Sequence, residues 1–113
     1  MGFSRAVRDG QHVAVSGTAP IWSDGHVSPD PSAQTRKCWE IALAALAELG
    51  GGAEHVVRTR HYITDRDIAD AVSEVHGEVF GDIRPASTMV VVAGLLDHRW
   101  MVEVELDAIV ADG

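Results

Sequence analysis

The sequences RPASTMVVVA, from Arg84 to Ala93, and VEVELDAIV, from Val102 to Val110, decide the fold of this chain. Proline restricts the backbone torsion φ and disfavours helix, so Pro85 keeps the first stretch extended. The second stretch alternates apolar and acidic residues, which is the period-two pattern of a strand with one buried face. The two stretches therefore predict the last two strands of a sheet, joined by a short turn.

The N-terminal part predicts a hairpin followed by irregular structure. Asp9-Gly10 separates two runs of strand-forming residues, Ser4 to Arg8 and Gln11 to Ser16, and this dipeptide is typical of a tight turn. From Gly17 to Asp30 the residues favour turns, with room for one short strand around positions 26 and 27.

The first helix is predicted to begin after Asp30, whose side chain suits the N-cap position, with Pro31 as its first residue. Gly50 to Gly52 ends it. Apolar residues recur at helical spacing between these limits: Cys38, Ala42, Ala45, Leu46 and Leu49.

Glu54 to Thr64 is rich in β-branched and aromatic residues and predicts a strand. Alternation places Val57, Thr59, His61 and Ile63 on one face and Val56, Arg58, Arg60 and Tyr62 on the other. A second amphipathic helix follows, starting at Asp65 or Asp67 and ending at Gly81.

The resulting order, β-β-(β)-α-β-α-β-β, predicts an α+β fold with a mixed five- to six-stranded sheet. Two helices are enough to cover only one face of such a sheet. The run from Met89 to Ala93 is apolar at successive positions, which is typical of a strand buried on both faces. We therefore expect the uncovered face to be a subunit interface.

Composition limits the possible functions. The 113 residues, 46% hydrophobic, suit a single domain spanning residues 1–113. Nine Lys plus Arg against seventeen Asp plus Glu give a net charge of −8, which argues against nucleic-acid binding. The longest apolar run, Met89 to Leu96, is well short of the roughly 20 residues that cross a bilayer, so no membrane partner and a cytoplasmic location are expected. The single cysteine, Cys38, suits a small core residue.

Neither a metal nor a cofactor is expected. Among the six histidines no pair has the i, i+4 spacing of a zincin helix. His76 is expected to pack against the sheet or a neighbouring subunit. Gly50 to Gly52 ends a helix, whereas a dinucleotide or phosphate loop opens one.

Short motifs in order along the chain carry a family resemblance. They are Ser4 to Val7, Val15 to Thr18, Gln34-Thr35, Val56 to Thr59, Tyr62 to Asp65, His76 to Gly81 and Arg84 to Thr88. Together they resemble the Rid family of reactive intermediate deaminases, also called YjgF-like, with the legacy label endoribonuclease L-PSP. The resemblance implies a chorismate-mutase-like fold and a homotrimer that binds a small molecule in three clefts between subunits.

One residue departs from the family pattern. The catalytic arginine of the archetypal deaminases stands two residues after the proline, and here that position is Ser87. Serine cannot make the bidentate pair with a substrate carboxylate. Losing that partner costs on the order of 2 to 4 kcal/mol, or roughly 30- to 1,000-fold in binding. Arg84 precedes the proline and has the opposite strand parity, so it is expected to point elsewhere if the strand begins that early.

Glu105 matches the family's glutamate, which faces the cleft and is thought to position the attacking water. Alternation places Glu103, Glu105 and Asp107 on one face, where three carboxylates repel one another unless some are solvated or paired. For Glu103 and Asp107 a hydrated strand face is an equally good interpretation. We predict Glu105 as the catalytic residue.

The resemblance also implies a set of binding residues. Phe3 stands where many relatives carry a tyrosine, Ser16 and Gly17 match a Ser-Gly pair at the end of the second strand, and Ser73 matches a polar residue on the second helix. Hydroxyls of Ser87 and Thr88 complete the substrate-binding set. A nucleophilic serine is disfavoured, because no histidine is placed as its base by a recognisable motif.

Three functions follow for consideration. The first is hydrolysis of an imine, enamine or amide other than the 2-aminoacrylate type. The second is a non-catalytic small-molecule-binding or regulatory trimer. The third, ribonuclease activity, is opposed by the acidic charge and by the lack of a basic phosphate-binding set.

Overall fold

A computed structural model describes residues 1–112 of the chain. The elements are β1 (Ala6–Asp9), β2 (His12–Thr18), α1 (Pro31–Glu48), β3 (Val56–Ile63), α2 (Ala69–Phe80), β4 (Ala86–Val91) and β5 (Val102–Ile109). The strands form one sheet in the order β1-β2-β5-β3-β4, with β3 and β4 parallel and the other neighbours antiparallel. The predicted α+β fold, two helices on a five-stranded mixed sheet, is confirmed.

The predicted hairpin joins β1 and β2. Asp9 pairs with His12, and Gly10 between them has a positive φ of 61°, which a side chain would disfavour. The first helix also begins as predicted, because the side chain of Asp30 accepts a hydrogen bond from the backbone N–H of Ala33 at 3.0 Å. Gly50, with a φ of 93°, follows its C-terminal end.

The optional short strand around positions 26 and 27 does not form. The described backbone between Thr18 and Pro31 contains no strand and turns back on itself instead. The N–H of Gly25 donates to the carbonyl of Trp22, and the N–H of Trp22 donates to the carbonyl of His26. The sequence from Ser23 to Gly25 therefore forms a turn that holds Trp22 beside His26.

Buried Gln34 fastens this loop to the loop before β5. Its Nε2 donates to the carbonyls of Ser28 and Arg99 at 2.7 and 2.9 Å, and its Oε1 accepts from the N–H of Met101 at 2.8 Å. One side-chain amide thus satisfies backbone polar groups of two loops.

The predicted face of Val57 is also wrong. Val56 pairs with Ala108 and Arg58 with Asp107, so Val57 is an extra residue in a β-bulge. Val56 consequently turns inward and Val57 lies 46% exposed. Thr59, His61 and Ile63 share one face as predicted, because alternation is regular after the bulge, and this face is turned to the helices.

The core lies between the helices and the inner face of the sheet. Trp39, Leu46, Phe80 and Leu106 are almost fully buried there, and each such side chain contributes about 1.5 to 3 kcal/mol by leaving water. The second helix is preceded by a short 3-10 turn, Arg66–Ile68, capped by Asp65.

The edge strand β4 stays open in a single chain. Val90 and Val91, one on each face, are 41% and 51% exposed. The burial predicted for both faces of this strand therefore requires a neighbouring molecule. Arg84 lies before the strand with a φ of 56°, so strand parity does not determine where its side chain points. In the described residues no helix combines the length and the apolar character needed to cross a membrane.

Candidate functional site

The face of the sheet opposite the helices carries a stripe of charged and polar side chains. On β5, Glu103, Glu105 and Asp107 alternate with buried residues and all point to this open face. On β3, Arg60 pairs in register with Glu105, and Tyr62 pairs with Glu103. Cross-strand neighbours on one face lie close enough for their side chains to interact.

Glu105 is the centre of this stripe. The Tyr62 hydroxyl donates to Glu105 Oε1 at 2.5 Å, and Arg60 Nη1 lies 3.6 Å from the same oxygen. Arg60 also lies 3.5 Å from Asp107 Oδ2, so one guanidinium separates two carboxylates. The hydrogen bond to Glu105 raises the pKa of Tyr62 above its usual value, with burial adding to the effect. The phenol therefore stays protonated and holds the carboxylate in one orientation.

A cavity of about 510 Å³ opens beside this pair. Its lining residues are Gly17, Tyr62, Val92, Gly94, Leu95, Leu96, Glu103 and Glu105. The segment after β4 supplies the apolar wall, and β3 and β5 supply the polar floor. Apolar walls with a few convergent polar groups are typical of small-molecule sites.

Glu103, like Tyr62, has a raised pKa. Burial is the main cause, and the neighbouring charge of Glu105 adds to it, while Arg5 opposes both. Arg5 lines the adjoining cavity rather than this one and donates to the carbonyl of Gly17 and the hydroxyl of Thr18. Raised proton affinity allows Glu103 to share a hydrogen bond with a ligand or with Glu105.

Gly17 leaves room for the Glu103 side chain in this arrangement. A Cβ at position 17 would collide with the carboxylate of Glu103, so glycine leaves the room that the carboxylate occupies. Of the residues expected at the site, Gly17 and Glu105 line the same cavity.

Ser16 precedes Gly17 in β2 but does not line the cavity, and neither does Phe3. The Ser16 hydroxyl is used by the backbone, because it lies 3.0 and 2.9 Å from the carbonyl oxygens of Ser4 and Arg5 and shares its one hydrogen between them. Phe3 is 76% exposed in the single chain. Its ring is therefore available to a neighbouring molecule and has no pocket of its own here.

The other expected binding residues lie elsewhere. Ser87 pairs in register with Thr59 and bonds to its side chain, so it lies on the helix-covered face at the open edge of the sheet. Thr88, the next residue, is exposed on the opposite face beside Arg60. Ser73 is exposed on α2. One chain thus brings Glu105 and Gly17 together but separates them from Ser87 and Ser73.

Two residues of this candidate site were not predicted in these roles. Tyr62 was assigned only to a strand face, and for Glu103 a functional role and a hydrated strand face were left as equal alternatives. The signal that could have found Tyr62 is its parity, since it shares the outward face of β3 with Arg60. Parity alone names no partner, however, because the register of β3 against β5 is a tertiary feature. Among the described residues no group of three or more His, Cys, Asp or Glu side chains is arranged to hold a metal.

Known proteins resemble this chain over nearly its full length. The family model described as endoribonuclease L-PSP matches residues 1–110. An uncharacterized protein of Streptomyces coelicolor is 41% identical over 95% of this chain and 81% of its own length. A RutC family protein of Pyrococcus abyssi is 32% identical over 82% of this chain and 75% of its own.

Solved structures give the same result. A member of the YjgF/YER057c/UK114 family from Mycobacterium tuberculosis superposes with a TM-score of 0.88 at 42% identity, covering 96% of this chain and 87% of that one. A Rid family protein of unknown function from Yersinia pestis gives a TM-score of 0.90 at 29% identity, with coverage of 96% and 88%.

Proposed function

The chain belongs to the YjgF/Rid family, whose model carries the description endoribonuclease L-PSP, and on that premise we propose that it hydrolyses a small imine, enamine or amide with Glu105 as the catalytic residue. The substrate is not of the 2-aminoacrylate type. The observation that carries the proposal is the pairing of Glu105 with the Tyr62 hydroxyl at the floor of an apolar-walled cavity.

The contacts of Glu105 suit a residue that activates water. Tyr62 and Arg60 both engage Oε1, which leaves Oε2 to accept a hydrogen bond from a water molecule. Because Tyr62 fixes the orientation of the carboxylate, little reorganisation is needed when the water reacts.

The proposed reaction needs only water and one carboxylate. Glu105 takes a proton from water as the oxygen bonds to the carbon of a C=N group, and it passes that proton to the nitrogen to give a neutral carbinolamine. In the second step Glu105 takes the proton of the carbinolamine hydroxyl as the carbonyl forms. It gives that proton to the nitrogen as the C–N bond breaks and the amine or ammonia leaves, so Glu105 ends each step unchanged.

The charge of the cavity supports a substrate without a carboxylate. Two carboxylates, Glu103 and Glu105, line it, and none of the described lining residues is basic. Ser87 replaces the arginine that binds the substrate carboxylate in archetypal family members. A neutral or cationic nitrogen compound with an apolar substituent fits both features.

The relative position of Ser87 and Glu105 supports a shared site in a homotrimer. The two side chains lie on opposite faces of one sheet, so both can contact one ligand only if the cleft forms between two copies of the chain. Exposed Val90 and Val91 on the edge strand supply apolar surface for that contact. In this arrangement Phe3, Ser16, Ser73 and Thr88 remain proposed binding residues at the cleft.

A second candidate is a small-molecule-binding or regulatory trimer without turnover. It is favoured by the extent to which Glu105 is already occupied, since its carboxylate is bonded to Tyr62 and lies near Arg60. Such a network is also suited to shaping a binding surface on which no substrate is turned over. Ribonuclease activity is opposed by the net charge of −8 and by the acidic lining of the cavity.

A substrate screen tests the proposal. Purified protein is assayed against imines, aromatic amines and amides, with Glu105→Ala as the control. Turnover that disappears in Glu105→Ala supports the hydrolase. A ligand that binds the wild type without being consumed supports the regulatory trimer instead.

A further inference from the structure

A chain of hydrogen bonds runs from α2 to the open edge of the sheet. His76 Nε2 lies 2.8 Å from the Thr59 hydroxyl, and that hydroxyl donates to Ser87 Oγ at 2.8 Å. Thr59 is fully buried, whereas Ser87 is exposed on the edge strand β4. The chain therefore connects a ring packed beneath the helix to a hydroxyl at the surface.

Each hydroxyl carries one hydrogen, so the three groups can donate either outward from His76 or inward from Ser87. In the outward direction Thr59 donates its hydrogen to Ser87 and accepts from His76. Nε2 is then the nitrogen of His76 that carries a hydrogen. The ring lies among Trp39, His61 and Phe80, where burial lowers the pKa of His76 and keeps it neutral.

In the outward direction Ser87 is left with its own hydrogen free. Its oxygen accepts from Thr59 inside the sheet, and its O–H is available to the surroundings. All three groups donate in the same direction, and hydrogen bonds in such a chain polarise one another. We propose that the chain from His76 through Thr59 makes Ser87 a directed hydrogen-bond donor to a carbonyl oxygen of the ligand.

A neutral carbonyl is the acceptor that this chain suits. The three hydrogen-bonded groups carry no formal charge. A hydrogen bond from Ser87 therefore does not offset the free energy that a carboxylate loses when it is dehydrated on binding. An amide or ketone oxygen loses less and gains a good single bond. This inference rests on the proposed function and deepens it, because it names the substrate group that replaces the family's carboxylate. Thr59 and His76 act as positioning residues.

Benzamide and benzoate form a matched pair of probes. They share the same ring, and one presents an amide carbonyl while the other presents a carboxylate. Binding of each to the intact assembly is measured by NMR titration of backbone amides. We expect benzamide to bind more tightly than benzoate, Ser87→Ala to weaken benzamide about five- to tenfold, and Thr59→Val to weaken it by a similar factor.

Conservative variants separate this role from a merely structural one. Ser87→Thr and Thr59→Ser keep the hydroxyls and should bind benzamide within about twofold of wild type. Thr59→Val should also change the imidazole nitrogen shifts of His76, because Nε2–H loses its acceptor. Ser23→Ala, which removes an exposed hydroxyl outside the proposed binding set, is the control and should change neither.

Three results would overturn the inference: no benzamide binding to the wild type, benzoate binding as tightly as benzamide, or unchanged affinity in Ser87→Ala. Its failure is distinguishable from failure of the proposed function. The proposed function is tested by turnover in Glu105→Gln. If Glu105→Gln loses turnover while Ser87→Ala binds benzamide with unchanged affinity, the hydrolase proposal is supported and only this role of Ser87 is excluded.

Discussion

Ser87 and Glu105 lie on opposite faces of the same sheet. Ser87 is bonded to buried Thr59 on the side of the helices, whereas Glu105 is bonded to Tyr62 on the open side. A side chain cannot cross its own sheet, so no single chain can use both residues on one ligand. This relationship makes the assembly of the protein part of its proposed chemistry.

Subunit complementation follows from that geometry. We expect a trimer by sedimentation equilibrium and little turnover by Ser87→Trp or Glu105→Gln alone. When the two variants are unfolded, mixed equally and refolded, roughly one quarter of the clefts should regain both native residues if subunits assemble at random. Activity of the mixture above the sum of its parts measures this. A monomer mass at micromolar concentration, or a mixture no better than its components, would contradict the shared cleft.

Glu105→Gln should lower the rate of turnover of the substrate found by screening about 100-fold or more, because the amide cannot take a proton from water. The amide keeps the shape of the side chain and one acceptor for Tyr62, so ligand binding should persist. The matched control is Asp107→Asn, on the same face of β5 but outside the cavity lining, which should retain most of the rate. Equal rates for Glu105→Gln and wild type would make Glu105 a structural residue.

The imine formed from 2-aminoacrylate should scarcely be hydrolysed faster than in buffer. Ser87 provides one neutral hydroxyl where an arginine would provide a bidentate cation. Ser87→Arg is expected to increase this rate, and a coupled spectroscopic assay of both proteins gives the comparison. Wild-type turnover matching that of an arginine-bearing relative would show that another cation reaches the substrate.

Gly17→Ala should impair the site without unfolding the protein. The new methyl group meets the end of the flexible Glu103 side chain, which can move, so the free energy of unfolding should change by only about 0.5 kcal/mol. The displaced Glu103 carboxylate then occupies part of the cavity in which the substrate is proposed to bind, so the KM of Gly17→Ala should rise. Gly94→Ala also alters a lining residue but adds its methyl group in open space, so it is the control.

Stability should fall on acidification through a window set by His61. Burial, with a smaller effect from His76, lowers the pKa of His61 from 6.5 to about 4, so the unfolded chain binds a proton that the folded chain rejects between these values. The stabilisation is present above pH 6.5 and is lost as the pH falls toward 4. The loss should reach about 3 kcal/mol at most.

Urea denaturation between pH 4 and 7.5 at constant protein concentration measures this dependence. His61→Phe keeps a ring between Trp39 and His76 and should reduce the slope in that window. His98→Gln, at an exposed position, should leave the slope unchanged. An identical slope in wild type and His61→Phe would assign the acid sensitivity to other groups.

Local patterns in the sequence determined much of this architecture. The Asp9-Gly10 turn, the Asp30 cap and the alternation that aligns Glu103, Glu105 and Asp107 were all predicted and found. Each depends on residues a few positions apart, whose geometry is dictated by backbone sterics and by the periods of helix and strand. These patterns did not single out Glu105, which was a candidate because it matches the glutamate of the Rid family.

Only the tertiary structure decided which side chains meet. The bulge at Val57 takes this residue off its predicted face of β3, and the register of β3 against β5 brings Tyr62 to Glu105, 43 residues away. The parallel register of β3 and β4 likewise joins Ser87 to Thr59 and turns it toward the helices. Alternation tells which residues share a face of one strand, but a strand pairs with its neighbour through backbone groups that every residue carries. Register is therefore set by packing of the whole sheet, and with it the partners of every candidate residue.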